Sequence, residues 1–260
     1  MTRRNDKKLS DSKGTIDTGS KDAIQSMDTK NNTKGKDNIK GMRVTKGKCI
    51  VIGAGDLTLG QIPVAENDFV IAVDGGLGYC RVLEVEPDLI LGDFDSVSEG
   101  ETKAIETLER QIPERIIRLP REKDDTDMLA ALKEGLSRGY TQFRIYAGTG
   151  GRFDHTFANI QCLLFLKNHD AVGYLVDGTG MMLVIQNEAV HFQKSLEGVL
   201  SLFSLTEESS GVTIEGMKYL LQGASVRNDF PIGISNEFIG EEAMVSVEDG
   251  TLVCMISYAE

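Results

Sequence analysis

The feature that most constrains the fold is a regular alternation of short, β-branched apolar segments with helical segments between Cys49 and about Asp170. Alternation at this length indicates βαβ units, and therefore a mainly parallel sheet covered by helices on both faces. The predicted strands are Cys49–Gly53, Phe69–Val73, Leu89–Leu91, Ile116–Leu119 and Phe143–Ala147. The predicted helices are Leu77–Glu84, Glu99–Arg110, Thr126–Ser137 and Asp154–Asn168.

The pattern changes after Ala171, where no helical period of useful length occurs. Short apolar segments separated by Gly, Asn, Asp and Glu turns predict a small all-β domain, a sandwich or a partial barrel. Glu248-Asp249-Gly250 between the last two segments is a hairpin signal. The predicted strands are Val172–Val176, Met181–Gln186, Ala189–Phe192, Val199–Leu205, Tyr219–Leu221, Met244–Val247 and Leu252–Ile256.

The chain is therefore expected to contain an α/β domain (residues 48–170) followed by a β-sandwich domain (residues 171–260). Residues 1–47 are polar, with isolated hydrophobic residues and no period, so they are expected to form a disordered basic tail. Residues 1–48 contain thirteen Lys or Arg against six Asp or Glu, so the rest of the chain carries an even larger negative charge than the overall −12. This acidic balance argues against a nucleic-acid partner.

Compartment and membrane signals are few. No apolar stretch is long enough to span a bilayer, and the basic N-terminus lacks the apolar core of a secretory signal. The four cysteines, Cys49, Cys80, Cys162 and Cys254, are far apart and form no C-x-x-C pair. We therefore expect buried free thiols in a cytoplasmic protein with no membrane partner.

Two carboxylates follow the third predicted strand, because Leu89–Leu91 leads through Gly92 to Asp93 and Asp95. On an extended backbone residues i and i+2 point the same way, so the two charges are expected side by side, where a cation would neutralise them. Mg²⁺ usually takes one or two carboxylates plus substrate phosphates. A solvated loop after a strand is the alternative interpretation.

Three other predicted strands are also followed by polar segments. Asp74-Gly75-Gly76 follows the second strand, Lys123-Asp124-Asp125-Thr126-Asp127 the fourth, and Gly148 to His155 the fifth. Ligands of open parallel sheets bind beyond the carboxyl ends of the strands, so these segments are expected to meet. Carboxylates, basic side chains, glycines and helix N–H groups together are typical of a Mg²⁺–polyphosphate site.

Each of these residues also has a structural interpretation. Asp74 suits a turn, Asp127 suits the positive end of a helix, and Lys123 and Arg152 suit the surface. There is no Walker motif, and Gly53-Ala54-Gly55 is not followed by the third glycine of a dinucleotide fingerprint. No G-x-S-x-G elbow suggests acyl chemistry.

Taken in order, these segments resemble the thiamine pyrophosphokinase (thiamine diphosphokinase) family, bacterial type. The matching segments are Asp74-Gly75-Gly76, Gly92-Asp93-Phe94-Asp95-Ser96, Lys123 to Asp127, Gly150-Gly151-Arg152-Phe153-Asp154-His155 and, near the end, Gly233 to Phe238. The resemblance covers about residues 49–257. It implies an α/β domain followed by a β-sandwich, and a homodimer with active sites between subunits. The implied reaction is Mg²⁺-dependent transfer of pyrophosphate from ATP to the hydroxyl of thiamine, giving thiamine diphosphate and AMP.

The resemblance also implies roles for individual residues. The implied metal and catalytic carboxylates are Asp74, Asp93, Asp95 and Asp127. The implied contacts to the phosphates, nucleotide or hydroxyl are Gly75, Gly76, Lys123, Thr126, Gly150, Gly151, Arg152 and Asp154, with Lys123 also catalytic. Ser235 and Asn236 would contact thiamine across the interface. Eukaryotic members carry Gln and Trp where this chain has Lys123 and Tyr219, so the thiamine-stacking residue stays open.

Within this scheme Asp127 is the candidate to orient or deprotonate the thiamine hydroxyl, because it begins a helix beside the carboxylate pair. Two alternatives are kept. A haloacid-dehalogenase-type phosphohydrolase also uses D-x-D after a strand, although on the first strand of its domain. A non-catalytic thiamine or nucleotide sensor could share the fold, although it would not need the carboxylates.

Overall fold

The structure is a computed structural model that describes residues 46–95 and 99–259. The predicted tail lies outside these residues except for its last two positions. Ser96 also lies outside them. The described helices are α1 (Gly76–Val82), α2 (Glu99–Gln111), α3 (Asp127–Ser137) and α4 (Phe153–Lys167), with a short 3₁₀ helix at Pro113–Arg115. The first seven strands are β1 (Cys49–Ile52), β2 (Phe69–Val73), β3 (Leu89–Gly92), β4 (Ile116–Arg118), β5 (Gln142–Tyr146), β6 (Val172–Val176) and β7 (Gly180–Gln186). The other seven are β8 (Ala189–Phe192), β9 (Val199–Ser204), β10 (Glu208–Glu215), β11 (Leu221–Arg227), β12 (Asn236–Glu237), β13 (Ala243–Ser246) and β14 (Thr251–Ser257).

Six strands form a parallel half-sheet in the order β6-β5-β1-β2-β3-β4. The central strand β1 is buried along its whole length, as a strand covered on both faces must be. From β1 the chain proceeds to β4 on one side and then returns to β5 and β6 on the other. The order therefore reverses between β1 and β5, which is where open α/β sheets bind ligands.

The parallel half-sheet continues without a break into an antiparallel half. β6 pairs antiparallel with β7, and β14, β9 and β12 follow, so that one sheet has ten strands. A second sheet has four strands in the order β11-β10-β13-β8. The predicted fold class, α/β followed by a β-sandwich, is confirmed. The domain boundary near residue 170 stays a prediction, and β6, placed after it, pairs with the parallel strands.

Two apolar clusters cover opposite faces of the long sheet. One joins Leu202 and Leu252 of the antiparallel half to Val212 and Val245 of the four-stranded sheet, which makes the sandwich. The other packs α3 and α4 against the parallel strands and reaches Val184 of β7. Because α4 packs on both β6 and β7, it joins the two halves of the long sheet.

The predicted hairpin around Asp249-Gly250 is wrong. The strand β13 pairs with β8 and β10, whereas β14 pairs with β7 and β9. The Asp-Gly turn therefore carries the chain from one sheet to the other, with Gly250 at φ 121° and packed against Ser209. A turn sequence specifies the local bend, while burial in two sheets decides the pairing.

The four helices lie within two residues of their predicted bounds, and Cys49, Cys80, Cys162 and Cys254 are buried free thiols as expected. Strand β10 was not predicted. Its Ser209-Ser210-Gly211 segment contains a register shift at a glycine with φ 66°, which interrupts the alternation that identifies a strand. Among the described residues, no helix is long and apolar enough to cross a membrane.

Candidate active site

Three strand ends of the parallel half-sheet have left-handed backbone at residues other than glycine. Asp74 after β2, Phe94 after β3 and Ala147 after β5 have φ of 49°, 58° and 49°. Such conformations cost on the order of 1–3 kcal/mol each and concentrate at functional sites. These three residues lie at the carboxyl edge of the sheet, where the polar segments were predicted to meet.

Lys123 is the centre of the charged cluster at this edge. Its ammonium lies 3.4 Å from Asp93 Oδ2, 3.0 Å from Asp127 Oδ1 and 3.2 Å from the carbonyl oxygen of Pro120. The three charged side chains are only 14–20% exposed. Burial alone would lower the pKa of Lys123, but Asp127 and Asp93 raise it, so the lysine stays cationic. The structure therefore brings together residues from the ends of β3 and β4 and the start of α3.

Asp74 faces the same cluster from the end of β2. Burial, followed by the charges of Asp127 and Asp93, raises its pKa to about 6. Its Oδ1 accepts a 3.5 Å hydrogen bond from the backbone N–H of Phe94. A Cβ at Gly92 would lie 2.0 Å from that oxygen, so the glycine at the end of β3 makes room for this carboxylate. One lysine does not neutralise three carboxylates, and the raised pKa of Asp74 reflects the remaining negative charge.

The sequence suggested that Asp93 and Asp95 lie on one extended backbone, but in the structure they do not. The left-handed Phe94 between them is buried in the core, and the chain turns there. Burial would raise the pKa of Asp93, but the N–H of Asp95 and the charge of Lys123 lower it. The Asp95 carboxylate is 46% exposed and pairs with Arg121 at 3.5 Å. The two aspartates are neighbours with different surroundings, one inside the cluster and one at its rim.

Thr126 and Asp127 begin helix α3. The Thr126 hydroxyl accepts a 3.2 Å hydrogen bond from the N–H of Leu129, so this side chain is the N-cap of α3. Asp127 Oδ1 is buried and faces Lys123, but accepts no well-aligned hydrogen bond within the described residues. A buried carboxylate oxygen with spare acceptor capacity points to a ligand or to proton transfer.

The donor set fits a magnesium ion by its chemistry. Carboxylate oxygens are its preferred protein ligands, and it commonly binds only one or two beside substrate phosphates. The raised pKa of Asp74 indicates negative charge here that Lys123 does not fully neutralise. Within residues 46–95 and 99–259, however, no three acidic, His or Cys side chains are already arranged around one point. The Lys123 ammonium lies among them instead.

A second group of predicted residues follows β5, beside the loop after β1. Gly150 and Gly151 have φ of 82° and 60°, and Arg152 forms a two-pronged ion pair with Asp154 at 3.1 and 2.5 Å. This pairing lowers the pKa of the exposed Asp154. The sequence did not identify Asp56, whose carboxylate lies directly over Gly150. The only sequence signal was its place at the end of the first strand, after the incomplete glycine fingerprint.

Gly75 and Gly76 lie at the start of α1, directly after Asp74. The predicted thiamine residues are far along the chain, at β12. Ser235 is exposed with φ 57°, and its N–H donates to Ser201. Asn236 is 4% exposed, and its amide group binds both the N–H and the carbonyl oxygen of Tyr219, at 2.9 and 2.7 Å. The Asn236 amide therefore holds Tyr219 in place, while the Tyr219 ring is 60% exposed.

Comparison with known proteins gives the same family throughout. The family model described as "Thiamin pyrophosphokinase, catalytic domain" matches residues 63–174, and "Thiamin pyrophosphokinase, vitamin B1 binding domain" matches residues 187–252. The thiamine pyrophosphokinase of Bacillus subtilis is 28% identical over 193 residues, which are 74% of this chain and 88% of the relative. The crystal structure of the Bacillus subtilis protein has a TM-score of 0.72 at 28% identity, covering 82% of this chain and all of that one. A thiamin pyrophosphokinase family protein from Enterococcus faecalis has a TM-score of 0.70 at 26% identity, with 82% and 100% coverage.

Proposed function

The chain belongs to the thiamine pyrophosphokinase family, and we propose that it transfers the pyrophosphoryl group of ATP to the hydroxyl of thiamine. The products are thiamine diphosphate and AMP. The observation that carries this proposal is the match of the catalytic and vitamin-binding family models, in order, to the two parts of the chain. The buried cluster of Asp74, Asp93, Asp127 and Lys123 lies within the catalytic match.

The reaction forms a bond between the thiamine oxygen and the β-phosphorus, and breaks the bond from that phosphorus to the oxygen that leaves with AMP. The hydroxyl proton must leave as the new bond forms. Asp127 is our candidate to orient the hydroxyl or accept its proton, because its Oδ1 is buried with acceptor capacity to spare. Lys123, held cationic by Asp93 and Asp127, is positioned to receive negative charge from the phosphates.

Asp93 and Asp127, with Asp74 beside them and Asp95 at the rim, would hold Mg²⁺. The ion supplies neutralisation of the phosphate oxygens, which is worth several kcal/mol in phosphoryl transfer. Asp74, with its raised pKa, would then change from a partly protonated group to a ligand. Gly75, Gly76 and Thr126 stay proposed neighbours of the nucleotide phosphates, with Thr126 acting through the N-terminus of α3.

The Arg152–Asp154 pair and the turn at Gly150 and Gly151 are proposed to face the nucleotide. The ion pair is largely exposed, so Arg152 is free to exchange its carboxylate partner for a polar group of the nucleotide at low cost. Such an exchange also requires Asp154 to remain solvated, and its exposure allows that.

We propose that the antiparallel half receives thiamine and forms a homodimer. Six exposed apolar side chains lie on two segments that hydrogen-bond to each other through Asn236 and Tyr219. We call them the apolar patch: Tyr219, Leu220, Phe230, Ile232, Ile234 and Ile239. Exposed apolar side chains grouped on two hydrogen-bonded segments support an interaction site here. Ser235 lies within the patch, at the place proposed for thiamine contact across the interface.

The two alternatives are not supported. Phosphohydrolases of the haloacid dehalogenase type carry D-x-D after the first strand, whereas here it follows β3, and β1 leads to Gly53-Ala54-Gly55. A sensor would not need to keep Lys123, Asp93 and Asp127 buried together at a desolvation cost. The cytoplasm is the proposed location, supported by four buried cysteines that stay reduced.

The test is a product assay with the purified chain, ATP, thiamine and Mg²⁺. The proposal expects AMP and thiamine diphosphate in equal amounts, and no product after EDTA is added. Inorganic phosphate formed without thiamine would instead support a phosphohydrolase. Binding of thiamine without turnover, with a folded protein and excess Mg²⁺, would support a sensor.

A further inference from the structure

The place where the strand order reverses has one carboxylate that the proposed reaction does not use. This place lies between the loops that follow β1 and β5, on the carboxyl edge of the sheet. Ligands of open α/β sheets bind in this crevice. The charged cluster, in contrast, follows β2, β3 and β4. The strand β3 is two strands from β1, or about 10 Å at the usual strand spacing, a separation that a triphosphate can bridge.

The two loops of the crevice are joined by backbone hydrogen bonds. The N–H of Gly55 donates to the carbonyl of Ala147 at 2.7 Å, and the N–H of Asp56 donates to the carbonyl of Thr149 at 2.8 Å. The hydroxyl of Tyr79 donates to the carbonyl of Gly55 at 2.8 Å. These bonds fix the backbone at Asp56, so its carboxylate is presented from a defined position.

The Asp56 carboxylate lies on the face of Gly150. A Cβ built on Gly150 would be 2.1 Å from Asp56 Oδ2 and 2.3 Å from its Cγ. Glycine is favoured at position 150 by its φ of 82°, and any larger residue would also displace the Asp56 carboxylate. The sequence suggested that this turn approaches phosphates, but a carboxylate over the turn repels them. A neutral group with hydroxyls therefore suits this position better than a phosphate does.

Asp56 has no partner of its own within residues 46–95 and 99–259. Its side chain is exposed, and it has no ion pair or side-chain hydrogen bond with any described residue. A carboxylate has two oxygens and accepts from two adjacent hydroxyls at once. Hydrogen bonds of this kind are charge-assisted and roughly twice as strong as neutral ones.

We infer that Asp56 binds the ribose hydroxyls of ATP and selects nucleotides that carry both of them. This inference depends on the proposed function, since it assumes that ATP is the donor. It also sets the direction of the bound nucleotide: the nucleoside lies over β1 and β5, and the triphosphate extends towards Lys123 and the carboxylates after β2 and β3. Negative charge at Asp56 disfavours the opposite direction, because it would repel the phosphates.

The test compares ATP with 2′-deoxy-ATP and 3′-deoxy-ATP in the wild type, Asp56→Asn and Asp56→Ala. The wild type is expected to prefer ATP in kcat/KM by about 10–100-fold over each deoxynucleotide, through KM. Asp56→Ala should bring both ratios to within about threefold, and Asp56→Asn should give intermediate values, because an amide oxygen still accepts one hydroxyl. Glu114→Gln is the matched control: it removes one exposed charge from the 3₁₀ helix just before β4, far from the crevice, and should leave the ratios unchanged.

Nucleotide binding measured by calorimetry, without thiamine, gives the same comparison independently of turnover. Unchanged ratios in both Asp56 variants would overturn the inference while leaving the proposed function intact. A changed preference between ATP and inosine triphosphate, with unchanged ribose ratios, would also overturn it, because Asp56 would then contact the base. If the wild type binds ATP but forms no AMP with thiamine, the proposed function fails, and the binding ratios still decide the role of Asp56.

Discussion

In the parallel half of the ten-stranded sheet, charged side chains lie inward near the strand ends, and the backbone there is left-handed at Asp74 and at the neighbouring Phe94. In the antiparallel half, exposed apolar side chains lie on the segments around β12, and Asn236 binds the backbone of one of them, Tyr219. The difference separates two tasks. Chemistry on phosphates requires desolvated charge held rigidly, whereas the proposed binding of an organic cation and of a second subunit requires apolar surface that stays accessible.

The largest expected effect comes from Asp127 in the parallel half. Asp127→Asn keeps the shape of the side chain but removes its capacity to accept a proton. We expect kcat to fall by roughly 10²–10⁴-fold, which is a larger effect than the loss of Mg²⁺-dependent ATP binding. Steady-state formation of AMP and calorimetric binding of ATP check the two parts.

Asp125→Asn is the control for this change. Asp125 lies two residues earlier and pairs with Lys133 at 2.6 Å on the surface, away from the buried lysine. It should lose little activity. Equal losses in both variants would assign the effect to the general charge of the segment, and unchanged turnover in Asp127→Asn would remove Asp127 from proton transfer.

The next effect tests the apolar patch as an interface. Phe230 is 63% exposed, and Phe230→Asp places a charge where we propose that a second subunit packs. Loss of a central apolar contact typically costs about 2 kcal/mol or more, so the dissociation constant of the dimer should rise at least about 30-fold. Sedimentation velocity over a concentration series measures it.

Val82→Asp gives the same change of side chain on α1, at the surface of the parallel half. Val82 is 71% exposed, as accessible as Phe230, but it lies outside the patch. The Val82→Asp variant should dimerise with the same dissociation constant as the wild type. A monomeric wild type, or an equal effect of both substitutions, would contradict the assignment of the patch.

Much of the parallel half could be predicted from the sequence, because apolar period and turn residues are local signals. Thr126 at the start of α3 and the strand ends at Asp74 and Asp93 are examples. What could not be predicted depends on contacts between distant segments. The left-handed Phe94 turns the chain because its ring is buried, and Asp56 matters because Gly150, 94 positions later, lies under it.

The antiparallel half was harder to predict from the sequence, because it too depends on contacts between distant segments. Asn236 matches a family segment, which suggested a direct ligand contact, but only the structure shows that its amide is engaged by Tyr219. A motif identifies which residue matters, and not whether it touches the ligand or holds a neighbour that does.

Asn236→Ala tests this indirect role. It leaves the N–H and carbonyl of Tyr219 without partners, so the free energy of unfolding should fall by about 1–3 kcal/mol, and KM for thiamine should rise more than kcat falls. Urea denaturation and initial rates measure the two. Ser235→Ala removes a hydroxyl with no such bonds and should change stability by less than about 0.5 kcal/mol. Unchanged stability in Asn236→Ala would show that Tyr219 is held by other contacts.

The smallest expected effect concerns the pH dependence of the free energy of unfolding. Its sign should differ between two carboxylates of the cluster, Asp74 and Asp93. The pKa of Asp74 is raised to about 6 by burial and by its acidic neighbours, against an ordinary 3.8. Between about pH 4 and 6 the folded state therefore keeps a proton that the unfolded state has lost, and the free energy of unfolding falls as pH rises. The shift corresponds to at most about 3 kcal/mol, which partial exposure reduces to about 1–2 kcal/mol. In EDTA, Asp74→Asn should be more stable than the wild type above pH 6 and equal to it near pH 4.

Asp93→Asn should do the opposite, because the N–H of Asp95 and the ammonium of Lys123 outweigh burial and lower the pKa of Asp93. Its ionised form stabilises the folded state, and this contribution is present above about pH 4 and lost as the pH falls. Asp93→Asn should therefore be less stable than the wild type at neutral pH, and the two should converge in acid. Opposite signs for two carboxylates that share one lysine would show that the cluster has more negative charge than Lys123 neutralises. If both substitutions stabilise the protein, Lys123 does not pair with Asp93 in solution. If both destabilise it, the charge of Asp74 is already neutralised by its surroundings. The surplus negative charge that we propose attracts a cation is then absent.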